Sequence, residues 1–347
     1  MKTWFSLLFA ALFIAYVPPA RALATSVSPA EWSLYKAHFL DRGGRIIDNG
    51  NGGISHTEGQ GYGLLLSYLA GNRADFELIW SFTSAEMLLR NDGLAVWKWD
   101  PASKPHVTDV NNATDGDLLI AYALALAGTT WNRPDYIAAA TRMATAVLKD
   151  AVVVYGGRTL LMPASTGFSA KDRADGPVIN PSYWIFEAFP VMNVLAPSEK
   201  WQNLTDSGLD LLQSLQFGPA RLPAEWVSLK RSPQPAAGFA PEFSYNAIRI
   251  PLYLARAGLG DAAFLRHLMG AMAPVDRPMA TVNLITGQPL DPLVDNGYRI
   301  VTSLLDCVVN GTQVPAELQS FRPELYYPST LQLLALSFLR EEHPACL

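Results

Sequence analysis

Ser55-His56-Thr57-Glu58-Gly59-Gln60-Gly61-Tyr62-Gly63 and Asn112-Ala113-Thr114-Asp115-Gly116-Asp117 are the stretches whose reading decides how this chain folds. Each is a turn-forming approach, carrying glycine, to an apolar run of helical period. Each therefore sets a carboxylate at the mouth of a helix rather than along its side. Two carboxylates at neighbouring helix mouths can act as proton donor and acceptor on one bond. Tyr62, Trp97 and Trp99 lie close by in sequence, and sugars stack on aromatic rings. Together these features point to hydrolysis of a glycosidic bond.

Outward from these stretches, apolar residues recur at helical spacing between helix stops. The pattern predicts helices over Pro29–Phe39, Glu58–Ala70, Ala74–Arg90, Asp115–Ala127 and Pro134–Lys149. Further helices are expected over Ser182–Leu195, Thr205–Gln216, Ser244–Ala257, Ala262–Ala273, Tyr298–Asn310 and Ser329–Leu339. Gly71, Gly128, Gly258 and Gly311 read as left-handed helix stops. Pro190 and Pro251 fall inside apolar helical patterns and should kink or shorten them. Val152–Val154 and Thr159–Met162 flank Gly156-Gly157 and suggest one small hairpin. Strand signals are otherwise weak, and no linker divides the chain. The expectation is one all-α domain over residues 25–347, with paired helices able to close into a barrel.

Residues 1–24 are expected to be a secretory signal peptide cleaved after Ala24. Lys2 supplies the positive start, Trp4 to Val17 the apolar stretch, and Ala22-Leu23-Ala24 the small-x-small site. The mature protein is then expected to be secreted or periplasmic, without membrane insertion. Half of the 347 residues are apolar, enough for a large core. The formal net charge is −5 with no lysine/arginine cluster, which argues against nucleic acid as a partner. Cys307 and Cys346 could pair in an oxidising compartment or remain separate thiols, and the sequence leaves both open. No metal or cofactor motif is present: the histidines lack ligand spacing and no Cys-x-x-Cys occurs.

Both acidic stretches have bland readings. Ser55-x-x-Glu58 fits a capping box, and Thr114 or Asp115 fits a helix cap. Yet Gly59, Gly61 and Gly63 sit in the first helical turns, where each costs ~1 kcal/mol against alanine. Something must therefore approach that backbone closely.

The two stretches together, with Trp97-Lys98-Trp99, Asn180-Pro181-Ser182-Tyr183 and Tyr245-Asn246-Ala247-Ile248-Arg249, resemble glycoside hydrolase family 8. Within it the chain is most similar to bacterial endoglucanases associated with cellulose synthesis. The resemblance implies an (α/α)6 barrel and inverting endo-β-1,4-glucanase activity on a β-glucan. It also implies the cellulose-synthesis machinery as a partner. Carried over by position, Glu58 would be the general acid, and Asp115 would sit beside the sugar whose bond breaks. Tyr62, Trp97, Trp99, Tyr183, Tyr245 and Arg249 would contact substrate. A general acid needs apolar or like-charged neighbours to keep its proton near neutrality.

One departure matters. Family members commonly carry aspartate as catalytic base where this chain has Asn246, and an amide is not basic. Asp115 is the first candidate for the missing base and Asp175 the second, with Asn246 orienting the water. Arg249 could meet a sugar or hold a carboxylate. The same resemblance permits xylan, chitosan or mixed-linkage β-glucan as substrates. It also permits a non-catalytic glucan-binding protein that assists cellulose assembly.

Overall fold

The computed structural model describes residues 25–347. The expected signal peptide lies outside the described residues. Twelve helices run in order: α1 Pro29–Phe39, α2 Thr57–Leu69, α3 Arg73–Phe82, α4 Thr114–Thr130, α5 Pro134–Asp150 and α6 Phe189–Leu195. They continue as α7 Glu199–Ser214, α8 Ile250–Arg256, α9 Ala262–Met272, α10 Asn296–Asn310, α11 Ala316–Gln319 and α12 Tyr326–Glu342.

The even-numbered helices form an inner ring. α2 packs on α4, α4 on α6, α8 on α10, α10 on α12, and α12 returns to α2. α8 meets the ring through the turn Phe186–Ala188 that leads into α6. The odd-numbered helices pack outside: α1 on α12, α3 on α2, α5 on α4, α7 on α6, and α9 and α11 on α10. The result is an (α/α)6 barrel. Burial follows from the same sequence pattern. Twelve of the 13 residues of α2 are buried, against seven of the 17 of α5. An inner helix touches protein on every side, so its apolar residues run all round. An outer helix keeps one apolar stripe.

Several boundaries differ from the sequence expectation for physical reasons. Pro190 and Pro251 stand at the starts of α6 and α8 rather than inside longer helices. Proline lacks an N–H, so it fits a first turn, where that N–H would have no intrahelical partner. The chain before each is drawn into short 3-10 turns, at Pro181–Tyr183, Phe186–Ala188 and Ala247–Arg249. The long helix expected to Arg90 ends at Phe82 and gives way to a π turn at Thr83–Met87. Gly71, Gly258 and Gly311 take left-handed backbone as helix stops, whereas α4 runs past Gly128 to Thr130.

The hairpin forms as Val152–Tyr155 against Arg158–Leu161. Two small three-stranded sheets were not expected: Val178–Ile179 with Val227–Ser228 and Gln234–Pro235, and Glu242–Phe243 with Ala280–Asn283 and Pro289–Pro292. Cys307 and Cys346 form a disulfide that ties α10 to the C-terminal turn.

Of the glycines of α2, Gly61 is explained by α4, while Gly63 is pressed by the Ile46 side chain, 2.6 Å from where a Cβ would stand. A Cβ on Gly61 would stand 2.5 Å from Leu119 Cβ and 3.1 Å from Ile120 N, and one on Gly116 would stand 2.7 Å from Glu58 N. Each helix thus presses its neighbour's backbone at a residue without a side chain. At Gly61 and Gly116 what approaches the backbone is the adjacent inner helix, and the contact sets Glu58 beside Asp115.

Candidate active site

The mouth of α2 is built by a two-residue ladder. Ser55 and His56 pair antiparallel with Trp99 and Lys98, and Thr57 N–H donates to Trp97 O at 3.0 Å. His56 is the helix cap: its Nδ1 accepts from Gly59 N–H at 3.0 Å, while Nε2 faces Asp48 Oδ2 at 3.2 Å. Ser55 Oγ donates instead to Ile46 O. The capping box is therefore not formed, and the Glu58 carboxylate is left for the cleft.

At the mouth of α4, Thr114 Oγ1 donates to Met162 O at 2.8 Å and no side chain caps the helix. Trp97 N–H donates to Asn111 O at 2.9 Å, so one extended segment joins both helix mouths. Asp117 pins that segment: its carboxylate accepts from Ala95 N–H and Asn112 Nδ2, both at 2.9 Å.

Asp117 is fully buried, and burial pushes its carboxyl up to about 7, against the pull of those two hydrogen bonds. A carboxyl raised this way keeps a proton in the folded state that the unfolded chain loses between about pH 4 and 7. Its contribution to stability is thus full at low pH and is lost as pH rises through 7. The melting-temperature difference between wild type and Asp117→Asn should shrink or reverse between pH 4 and 8. A constant difference would contradict this assignment.

At the barrel axis Arg249 is completely buried and clasps both acids. Its Nη1 donates to Glu58 Oε2, and its Nη2 donates to Asp115 Oδ2 at 2.6 Å. Nη2 also reaches Ser182 Oγ at 3.2 Å, which Asn180 orients. The other oxygen of Glu58 accepts from Tyr326 OH at 3.2 Å, and the other oxygen of Asp115 from Gly116 N–H at 2.8 Å. One guanidinium balances one ionised carboxylate, so a single proton on the pair leaves the cluster neutral. Burial first, then the Glu58 charge, push the Asp115 carboxyl up, while Arg249 opposes them. Both carboxylates lie in the first turns of their helices, whose N-terminal dipoles favour negative charge.

Above this cluster opens a cavity of about 710 Å³, lined by Glu58, Asp115, Trp97, Tyr183, Tyr245 and Asn246 among others. Tyr245 is 41% exposed and its ring neighbours Tyr298, which neighbours Tyr327. The described residues contain no cluster of histidine, cysteine, aspartate or glutamate able to hold a metal, and no helix long and apolar enough to cross a membrane.

Three expected site residues lie elsewhere. Tyr62 is fully buried, its hydroxyl on Tyr253 OH and within 3.5 Å of Arg249 Nη1. It buttresses the arginine and does not line the cavity. Trp99 is not a cleft surface, since it stacks on His106 at 4.1 Å with Phe82 at its edge. Asp175 does not line the cavity. Its carboxylate clamps a loop through Arg173 and Ala237 N–H, and the Arg173 hydrogen bonds hold it below the ordinary carboxylate range. Arg249 holds both carboxylates, one of the two readings expected of it, and does not line the cavity.

Two residues escaped the sequence reading. Tyr326 opens α12 three residues before the predicted start, and the aromatic pair ahead of Pro328 was its signal. Glu225 accepts Asn246 N–H at 2.6 Å and Asn246 Nδ2 at 3.4 Å. No local pattern links residues 21 apart.

An (α/α)6 barrel with clasped carboxylates on the floor of an open aromatic cleft defines the class of helical-barrel glycosidases. The family model for Glycosyl hydrolases family 8 matches residues 6–294, and the chain belongs to that family. A probable endoglucanase of Novacetimonas hansenii is 39% identical over 226 residues, which is 64% of this chain and 65% of that protein. An endoglucanase of Cellulomonas uda is 37% identical over 64% of this chain and 62% of its own length. The aligned stretch thus spans a little under two thirds of these relatives. Among solved structures, the endo-β-1,4-glucanase CMCax of Acetobacter xylinum superposes with a TM-score of 0.81 at 32% identity, covering 92% of this chain and 99% of that one.

Proposed function

We propose that this protein is an endo-β-1,4-glucanase that cleaves internal bonds of cellulose with inversion. The observation that carries this reading is the Glu58–Arg249–Asp115 clasp on the floor of a cleft walled by Trp97, Tyr183 and Tyr245. An open cleft suits the middle of a chain. Aromatic walls suit the faces of glucose rings, and an uncharged polymer needs no basic surface.

Glu58 protonates the departing glycosidic oxygen as water attacks the anomeric carbon. Tyr326 fixes the Glu58 carboxyl, and Arg249 stabilises the carboxylate left behind. Asp115 accepts hydrogen bonds from the sugar beside the broken bond. Its place on the same guanidinium as Glu58 puts the two acids side by side, whereas an inverting pair stands ~6.5–9.5 Å apart around the water. The names of the similar proteins support the substrate class. The disulfide and the signal-like residues 1–24 support a secreted or periplasmic place of action.

The test is reducing-end release from carboxymethyl-cellulose together with a rapid fall in viscosity, with the anomer of fresh product read by NMR. Activity with α-anomer product from the β-linked chain is expected. Cellulose binding without hydrolysis would support the glucan-binding alternative, for which Asn246 is the favouring observation.

A further inference from the structure

Inversion needs a proton acceptor facing the water from the side opposite the acid. Asp115 is poorly placed for this: it is buried and shares the Arg249 guanidinium with Glu58, so it stands on the same side of the cleft as the acid. Asn246 lines the cavity wall but has no basic atom of its own. Behind it stands Glu225, and both Glu225 oxygens face Asn246. Oε1 accepts the backbone N–H at 2.6 Å, and Oε2 accepts the amide Nδ2 at 3.4 Å. Since a carboxylate only accepts, the side-chain amide is oriented with Nδ2 toward Glu225. Asn246 Oδ1 meets no protein donor among the described residues. The Glu225 backbone is fixed in turn, its N–H donating to Glu242 O at 3.0 Å just before the strand Val227–Ser228.

We propose that Glu225 is the terminal proton acceptor for the attacking water and that Asn246 relays the proton. As the water oxygen bonds to the anomeric carbon, one water proton passes to Asn246 Oδ1. A proton on Nδ2 passes at the same time to Glu225 Oε2, leaving the amide as its imidic acid tautomer. The bond from the anomeric carbon to the leaving oxygen breaks, and that oxygen takes the Glu58 proton. Glu225 ends neutral and Glu58 ionised. Return of the amide tautomer and transfer of one proton through solvent from Glu225 to Glu58 restore the starting state. Burial pushes the Glu225 carboxyl up, against the Asn246 hydrogen bonds and the Arg249 charge, which suits a group that must take a proton.

This inference rests on the hydrolase reading above, and the experiment separates the two. Wild type, Glu225→Gln, Asn246→Asp and the double variant are assayed for kcat and KM on carboxymethyl-cellulose, with and without azide, beside their melting temperatures. Glu225→Gln should lower kcat by about 10²–10⁴-fold with little change in KM. Azide, a nucleophile that needs no base, should restore turnover and yield the α-glycosyl azide. Asn246→Asp supplies a base directly, so the Glu225→Gln change should cost less than about tenfold in that background. An active wild type with an equally active Glu225→Gln variant overturns the relay and leaves the hydrolase reading standing. So does a Glu225→Gln loss that azide fails to rescue and that is undiminished beside Asn246→Asp. An inactive wild type overturns both.

Discussion

Glu58→Gln should lower kcat on carboxymethyl-cellulose by at least about 10³-fold while changing KM by only a few-fold. General acid catalysis contributes about 10²–10⁴-fold, and the leaving oxygen of a glucan is too basic to depart unprotonated at the upper end of that range. Glutamine keeps the shape of the side chain, its oxygen can still accept from Arg249 and its NH2 can donate to the Tyr326 hydroxyl oxygen, so the barrel should remain intact. The loss should therefore appear in turnover and not in folding. A substrate with a leaving group that needs no proton, such as a 2,4-dinitrophenyl cellooligosaccharide, should recover most of the rate. Equal losses on both substrates would mean that Glu58 is not the acid. Retention of wild-type turnover would remove it from the chemistry altogether.

Arg249→Met should be the most damaging single change away from the carboxylates. The guanidinium is wholly buried between Glu58 and Asp115 and is the cation that bonds to both. Removing one partner of a buried ion pair leaves an uncompensated charge, at a cost of about 3–5 kcal/mol. In a barrel of this size that is roughly 4–8 °C in melting temperature. The variant can recover part of this by binding a proton on Asp115, whose carboxyl burial already pushes up, so its deficit should be smaller at pH 5 than at pH 8. Turnover should fall at least about 10²-fold, because the acid loses the group that positions it. A melting temperature and turnover within error of wild type would show that the clasp matters little. A lower melting temperature whose deficit is independent of pH would assign the loss to packing rather than charge.

The parts of this molecule that could be read from the sequence share one property: their cause is local. Glycine beside a carboxylate at the start of an apolar run of helical period marks a helix mouth, and Glu58 and Asp115 were found that way. The start of α1 was placed correctly because Ser28, Pro29 and Glu31 cap it by themselves. The misreadings have a different origin. α2 is buried on nearly every side, so its pattern carries no polar face to show that Tyr62 points into the wall and not into the cleft. Trp97 and Trp99 look alike in sequence, yet only tertiary packing on Phe82 and His106 withdraws Trp99 from the cavity. Glu225 sits in an irregular segment whose meaning comes from Asn246. The two-residue strands are too short to display a period of two. α6 and α8 were overextended because apolar 3-10 turns have the same composition as the helices they precede.

The reciprocal contact of Gly61 and Gly116 has a bearing on attempts to engineer this protein. Replacing helical glycine with alanine is a common route to thermostability, worth up to about 1 kcal/mol per site in an exposed helix. At these two positions one added methyl would wedge the two helices apart, and with them Glu58 and Asp115. The spacing of these two carboxylates and the spacing of the scaffold are one and the same dimension here. Variants selected for heat tolerance alone are free to alter it, whereas a library that holds both glycines fixed keeps the reaction geometry while the rest of the barrel is hardened.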